Sequence, residues 1–194
     1  MSHWVALKRL LCYLCSTTSF GVLIANEIDR RLLTYSDSDW AGDPHDRTST
    51  TGYVIYLSSS PISWSSKKQC SVSHSFTKAV YRAVAATISE TNLLTHLLQE
   101  LQFPLTVVPR VLCDNISTTY ICVNPIFHSR MKHVAIDFHF VREQVESKQL
   151  EVAHLHVVDA DLLTKPLPCA LFGNHFSKLA EVNLDANLRG CNNG

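Results

Sequence analysis

LLTYSDSDW (residues 32–40), TGYVIYLSS (51–59) and PISWSSKKQ (61–69) decide the fold of this chain. In all three, apolar and polar residues alternate with a period of two, and aromatic and β-branched residues are frequent. That pattern predicts three strands. The first ends in acids, with Asp37 and Asp39 two residues apart and so on one face. The Ser-Ser-Pro between the second and third is turn chemistry, which joins them as neighbours.

Past these strands the period lengthens. From Ser75 to Gln102, Val80, Val84, Ile88, Leu94, Leu98 and Leu101 fall on one helical stripe, and Pro104 ends the helix. VPRVLCD (108–114) reads as a short buried strand. A short helix near 117–123 and a loop at Asn124-Pro125 follow, then a helix from Ile136 to Ser147. LEVAHLHVV (150–158) alternates again as a strand, and the segment from Asp159 opens a final helix or turn. The tail carries a weaker helical pattern through Phe172, Phe176, Leu179 and Val182, and its last residues are polar and expected to fray. Before the strands, residues 4–14 put Trp4, Leu7, Leu11 and Leu14 on one helical stripe, with Lys8 and Arg9 opposite. The order is three strands, a helix, a strand, helices, a strand and a helix. It predicts an α/β fold with a mixed sheet and helices on its faces.

The chain has 194 residues, 46% of them hydrophobic, which suits one domain with a short extra arm. Net charge is zero, from 17 basic and 17 acidic residues, so the global balance names no partner. Local charge is more informative. Between Arg47 and Ser89 there is no acid, while Arg47, Lys67, Lys68, Lys78 and Arg82 are present. Such a stretch suits a phosphate backbone, and equally a solvated face. Seven cysteines are scattered without a secretory signal before them, and no apolar run approaches the ~20 residues of a spanning helix. The expectation is a reduced, intracellular protein, cytoplasmic or nuclear, away from membranes. Cys12 and Cys15 form a lone C-x-x-C. A structural zinc needs four ligands, so these read as ordinary helix cysteines.

Three acids sit at the edges of predicted elements. Asp37 ends the first strand, Asp114 ends the fourth, and Asp161 begins the final helix. Carboxylates from separate elements that meet repel one another unless a cation joins them. Hard oxygen ligands select Mg²⁺ or Mn²⁺. Two such ions, ~3.5–4 Å apart, can activate a water and stabilise the leaving oxygen of a phosphodiester. For any one of these aspartates a turn or helix N-cap role is the ordinary reading. Spacing alone does not bring them together.

Several stretches, in order, resemble the ribonuclease H region of copia-type long-terminal-repeat retrotransposon Pol polyproteins. They are YSDSDWAGDPHDRTSTTGYVIYL, ISWSSKKQ, CDN, NPIFHSRMKHVAIDFHFVRE and LLTKPLP. HWVALKRLLCYL and the following FG resemble the end of the reverse transcriptase region before it. The resemblance spans about residues 3–184. It implies a ribonuclease H-like mixed five-stranded sheet with helices on its faces, plus a short N-terminal helical arm. It further implies residues 1–30 as the end of the reverse transcriptase region with its linker, 31–165 as the ribonuclease H-like domain, and 166–194 as a partly helical tail. The family's activity is two-metal hydrolysis of the RNA strand of RNA–DNA hybrids, with Mg²⁺ or Mn²⁺. The implied partners are such hybrids and an upstream reverse transcriptase domain, which the stripe of Trp4, Leu7, Leu11 and Leu14 would meet.

The family's metal-binding acids carry over onto Asp37 in YSDSDW, Asp114 in CDN and Asp161 in ADLLTKPLP. The approach to Asp161 is shorter than the family's usual T-E-D-Q-L-A-D run. The remaining acid belongs on the long helix, in a pattern like S-T-E-A-E-Y-R-A. Here the sequence is Phe76-Thr77-Lys78-Ala79-Val80-Tyr81-Arg82-Ala83, so Val80 stands at the catalytic Glu and Lys78 at its neighbour. Valine has no lone pair for a metal, and an added ammonium opposes a divalent cation. Glu90 is the next acid on this helix, ~15 Å further along its axis, too far to substitute. Asp39 and Asp43 are the other acids near the first strand. The expectation is an intact fold with hybrid cleavage abolished or severely reduced. The alternative is a non-catalytic nucleic-acid-binding module or a decayed remnant.

The resemblance and the local charge nominate Lys67, Lys68, Asn115, Arg130, Lys132 and His133 for contact with nucleic acid, with Ser65 and Ser66 as neutral donors. Trp64 could stack on a base, although a Trp in an alternating strand is more often core. His128, His133 and His139 lack zinc spacing and read as structural or nucleic-acid-facing. His154 and His156 share one strand face and receive no role.

Overall fold

A computed structural model describes residues 3–18, 20–22, 24–26, 29–124, 134–155, 161–165 and 181–183. The elements run α1 (His3–Thr17), β1 (Phe20–Val22), β2 (Leu32–Ser38), β3 (Thr50–Leu57), β4 (Ser60–Lys68) and α2 (Phe76–Glu100). After them come β5 (Arg110–Cys113), α3 (Ile116–Val123), α4 (Ala135–Glu146), β6 (Glu151–His154), α5 (Asp161–Thr164) and β7 (Glu181–Asn183).

Five strands form the main sheet in the order β4-β3-β2-β5-β6. The three alternating strands make an antiparallel meander, with Asp37 opposite Gly52 and Val54 opposite Trp64. Chain direction then requires a crossover. The helix α2 supplies it, and β5 pairs parallel to β2, with β6 parallel to β5. Ser58 makes the tight turn between β3 and β4 at φ 57°. Its N–H donates to the Arg31 carbonyl at 2.8 Å.

The helix α2 crosses β2 in the opposite direction. Thr87 donates to Ser36 at 3.0 Å, and Thr91 meets Thr34 at 3.2 Å. These small polar side chains let helix and strand approach closely while satisfying each other's hydroxyls. Ser75 caps the helix, its hydroxyl accepting from the Lys78 N–H at 3.4 Å. The other face of α2 joins α3 and α4 in an apolar cluster containing Val80, Tyr81, Val84, Ile88, Cys113, Cys122, Phe138 and Val141. Tyr81 and Phe138 stack at 6.3 Å between ring centroids.

The structure departs from the sequence reading in a few places. The buried face of α2 ends at Thr91, and Leu101 is 66% exposed. Since Thr91 already meets Thr34, near the start of β2, the last turns of the helix overrun the sheet. Trp64 is exposed, as is Ile62 two residues before it. Both lie on the face of β4 away from α2, where the short helix α5 is the covering element among the described residues. Its Leu163 carbonyl accepts from Ser66 at 2.6 Å. Val182 lies in a strand, not a helix: β7 pairs antiparallel with β1, Phe20 opposite Asn183. Phe172, Phe176 and Leu179 lie outside the described residues. In α1 the stripe of Trp4, Leu7, Leu11 and Leu14 is exposed. Among the described residues no helix is long and apolar enough to cross a membrane.

Candidate metal centre

Parallel pairing of β2 and β5 sets Ser36 beside Cys113. One position further on, each strand carries an aspartate, so Asp37 and Asp114 emerge side by side at the carboxyl ends of adjacent strands. Asp161 reaches them from the first residue of α5. One carboxylate oxygen from each of the three lies within 4.8 Å of the others. The three acids therefore converge, as a shared cation would require.

Their surroundings are unequal. The Asp37 side chain is fully buried. Its Oδ2 accepts from the Thr164 hydroxyl and lies 3.5 Å from the Lys165 ammonium. Asp37 Oδ1 and Asp114 Oδ1 are both buried, with no hydrogen-bond partner among the described residues. Asp161 Oδ1 accepts from Lys165 at 2.7 Å. Burial pushes the Asp37 carboxyl above its ordinary pKa. Thr164 and Lys165 oppose that rise, and the charges of Asp161 and Asp114 add to it. Burial also raises Asp114, against Lys165 and with Asp161. Two orphaned, desolvated carboxylate oxygens side by side are costly for a metal-free protein. A hard divalent cation relieves that cost, and the donor set fits Mg²⁺ or Mn²⁺.

The first turns of α2 are tied to both acid-bearing strands. Gln69 Nε2 donates to the Ala79 carbonyl at 2.9 Å and to Ser38 Oγ at 3.3 Å, next to Asp37. Thr118 donates to the Thr77 carbonyl at 3.4 Å, while its N–H is capped by Asn115 at 2.8 Å, next to Asp114. Val80 lies in this stretch, fully buried in the apolar cluster with Cys113 and Val84. Asp39 and Asp43 are engaged elsewhere. Asp39 Oδ1 accepts from the Thr50 N–H. A Cβ at Gly42 would press on the Asp39 carboxylate, so a larger residue there would have to displace that side chain. Asp43 pairs with Lys68, whose hydrogen bond holds its carboxyl below the usual range.

A comparison with models of known protein families gives no match. Among curated proteins, the chain is 48% identical over 190 residues to the Pol polyprotein of transposon RE2 from Arabidopsis thaliana, covering 97% of this chain and 13% of that protein. It is 51% identical over 179 residues to the Pol polyprotein of transposon RE1 from the same plant, covering 91% and 12%. The chain is homologous to part of the copia-type retrotransposon Pol polyproteins. It spans about an eighth of their length. Among solved structures, the ribonuclease H1 LC11 from a compost metagenome aligns with a TM-score of 0.50 and 14% identity, over 82% of this chain and 99% of that one. The Pol-related chain thus has a ribonuclease H-like fold.

Of the residues nominated for nucleic acid in this ribonuclease H-like chain, Lys67 and Lys68 are exposed on β4. Lys68 lies 3.2 Å from Asp46 as well as pairing with Asp43. Lys67 lines an open groove of about 430 Å³ with Thr51, Tyr53, Gln69, Arg82 and Glu90. The side chain of Asn115 caps α3. Arg130, Lys132 and His133, like His128 and His156, lie outside the described residues. His154 Nε2 lies 3.1 Å from the Asp114 carbonyl. Thr164 and Lys165 are the site residues that sequence reasoning missed. The available signal was their spacing: three and four residues after Asp161, a helix returns them to the same side.

Proposed function

We propose that this ribonuclease H-like domain keeps a divalent-cation seat and a surface for RNA–DNA hybrid, while hydrolysis of the RNA strand is lost or severely reduced. Val80 carries the reading: a fully buried, apolar side chain stands where the family places its catalytic Glu. Asp37 and Asp114 would hold Mg²⁺ or Mn²⁺ through their orphaned oxygens, with Asp161 alongside. Such ions supply activation of water and neutralisation of the leaving oxygen. Thr164 holds the Asp37 carboxylate in place. Lys68, on the face of β4 that also exposes Trp64, and Lys67, on the opposite face of this edge strand, would meet the sugar–phosphate backbone of the hybrid. The organisation that goes with this reading is residues 31–165 as the ribonuclease H-like unit, following the end of a reverse transcriptase region at 1–30 and preceding a tail at 166–194.

The test uses the purified chain, Mg²⁺ or Mn²⁺ and a labelled RNA–DNA hybrid. Background-level cleavage is expected, with measurable cleavage returning in a Val80→Glu, Lys78→Glu double variant. Robust cleavage that disappears on Asp114→Asn would sink the proposal. Hybrid binding without cleavage marks a binding module. Absence of both marks a decayed remnant.

A further inference from the structure

The acid cluster is divided into two halves by what touches it. Asp161 Oδ1 and Asp37 Oδ2 face the Lys165 ammonium, at 2.7 and 3.5 Å. Asp37 Oδ1 and Asp114 Oδ1 have no hydrogen-bond partner among the described residues, and the Asp37 side chain is fully buried. One pair of oxygens has the ammonium within 3.5 Å; the other pair has no such partner among the described residues, and Asp114 feels Lys165 and His154 only as more distant attractions. We propose that Lys165 is a built-in cation of this centre: its ammonium occupies one of two cation seats, leaving the chain to bind a single divalent ion at Asp37 and Asp114. This rests on reading the acid cluster as a metal centre.

Charge supports the division. Three carboxylates with Lys165 carry a net charge of about −2, which one divalent ion neutralises. A fourth carboxylate would have called for more positive charge, and Val80 does not provide it. Tethering favours the ammonium as well. Lys165 follows Thr164 directly, and the Thr164 hydroxyl is bound to Asp37 Oδ2. The ammonium is therefore held near its two carboxylates without a diffusional cost. At 2.7 Å, its contact with Asp161 is a charge-assisted hydrogen bond of ordinary strong length.

The experiment counts Mn²⁺ ions by calorimetry and by electron paramagnetic resonance, on the full chain and on Lys165→Gln and Lys165→Arg. Circular dichroism follows the melting of each chain without metal. The original chain should bind one Mn²⁺. Lys165→Gln should melt lower without metal and either bind a second Mn²⁺ or bind the first several-fold more tightly. Lys165→Arg, which keeps the charge, should behave as the original. Two ions on the original chain would overturn the proposal. So would a Lys165→Gln variant with unchanged stoichiometry, affinity and metal-free melting, and that result would leave the metal centre standing. Absence of Mn²⁺ binding by all three chains would overturn the metal centre and this inference together.

Discussion

At the scale of single residues, Asp37 and Val80 make opposite demands on the same region. Asp37 is a carboxylate forced into a dry position, with burial raising its pKa and the neighbouring acids adding to the rise. Its charge opposes folding when no cation is bound. Asp37→Asn should therefore raise the metal-free melting temperature at neutral pH, by about 2–4 °C if the relief is on the order of 1 kcal/mol. The amide can still accept from Thr164, and its N–H₂ can donate towards Asp114. The same variant should lose the stabilisation by Mn²⁺ that the original chain shows. Val80→Glu should act in reverse. It puts a carboxylate into a fully buried apolar cluster, which should cost roughly 2–3 kcal/mol without metal. Part of that cost should be recovered on adding Mn²⁺. A melting series with and without metal reads both variants. A Val80→Glu chain as stable as the original without metal would contradict the burial described here.

At the scale of elements, short polar contacts aim the site. Asn115 caps α3 and starts that helix directly after Asp114. Asn115→Ala should lower stability by about 1 kcal/mol, the usual cost of a lost N-cap, and denaturant unfolding would measure it. The loop between β2 and β3 is fastened in a similar way. The Thr48 hydroxyl and N–H on the Asp46 carboxylate, with Lys68 adding to them, lower its pKa to about 2. A carboxylate depressed by folding stabilises the fold at pH values above its unfolded pKa. That stabilisation is lost as pH falls towards about 2. The melting difference between the original chain and Asp46→Asn should be present at pH 5 and vanish as the pH approaches 2. A difference independent of pH would count against this ion-paired loop. Much at this scale was legible in sequence. Alternation gave the three antiparallel strands, and the longer period with Pro104 gave α2. Less legible was where burial stops. Leu101 continues the apolar stripe, but its exposure depends on where the sheet beneath the helix ends.

For the whole molecule, the acid cluster is a tertiary construction. Asp37, Asp114 and Asp161 come from three elements, and the parallel pairing of β2 with β5 makes two of them neighbours. A cation held by carboxylates from separate elements binds the folded state alone. Mn²⁺ at a hundred times its dissociation constant should raise stability by about 2.7 kcal/mol, and thermal melts across a metal titration would detect it. A melting temperature indifferent to Mn²⁺ would remove the metal centre. The pairing of β1 with β7 forms a second, two-stranded sheet apart from the main one. No periodicity in the tail announced it, because a three-residue strand is specified by its partner more than by its own residues.

The sequence by itself determined the strand and helix order, the acids at strand ends and the apolar residue where an acid was expected. Those are local properties: side-chain period, capping and residue identity. Tertiary structure alone decided that the three acids meet, that two of their oxygens are buried without partners, and that Lys165 stands against the other two. It also left Trp64 in the open and placed Val80 inside. Each of these depends on which surfaces face each other after folding, and a residue's neighbours along the chain do not fix that.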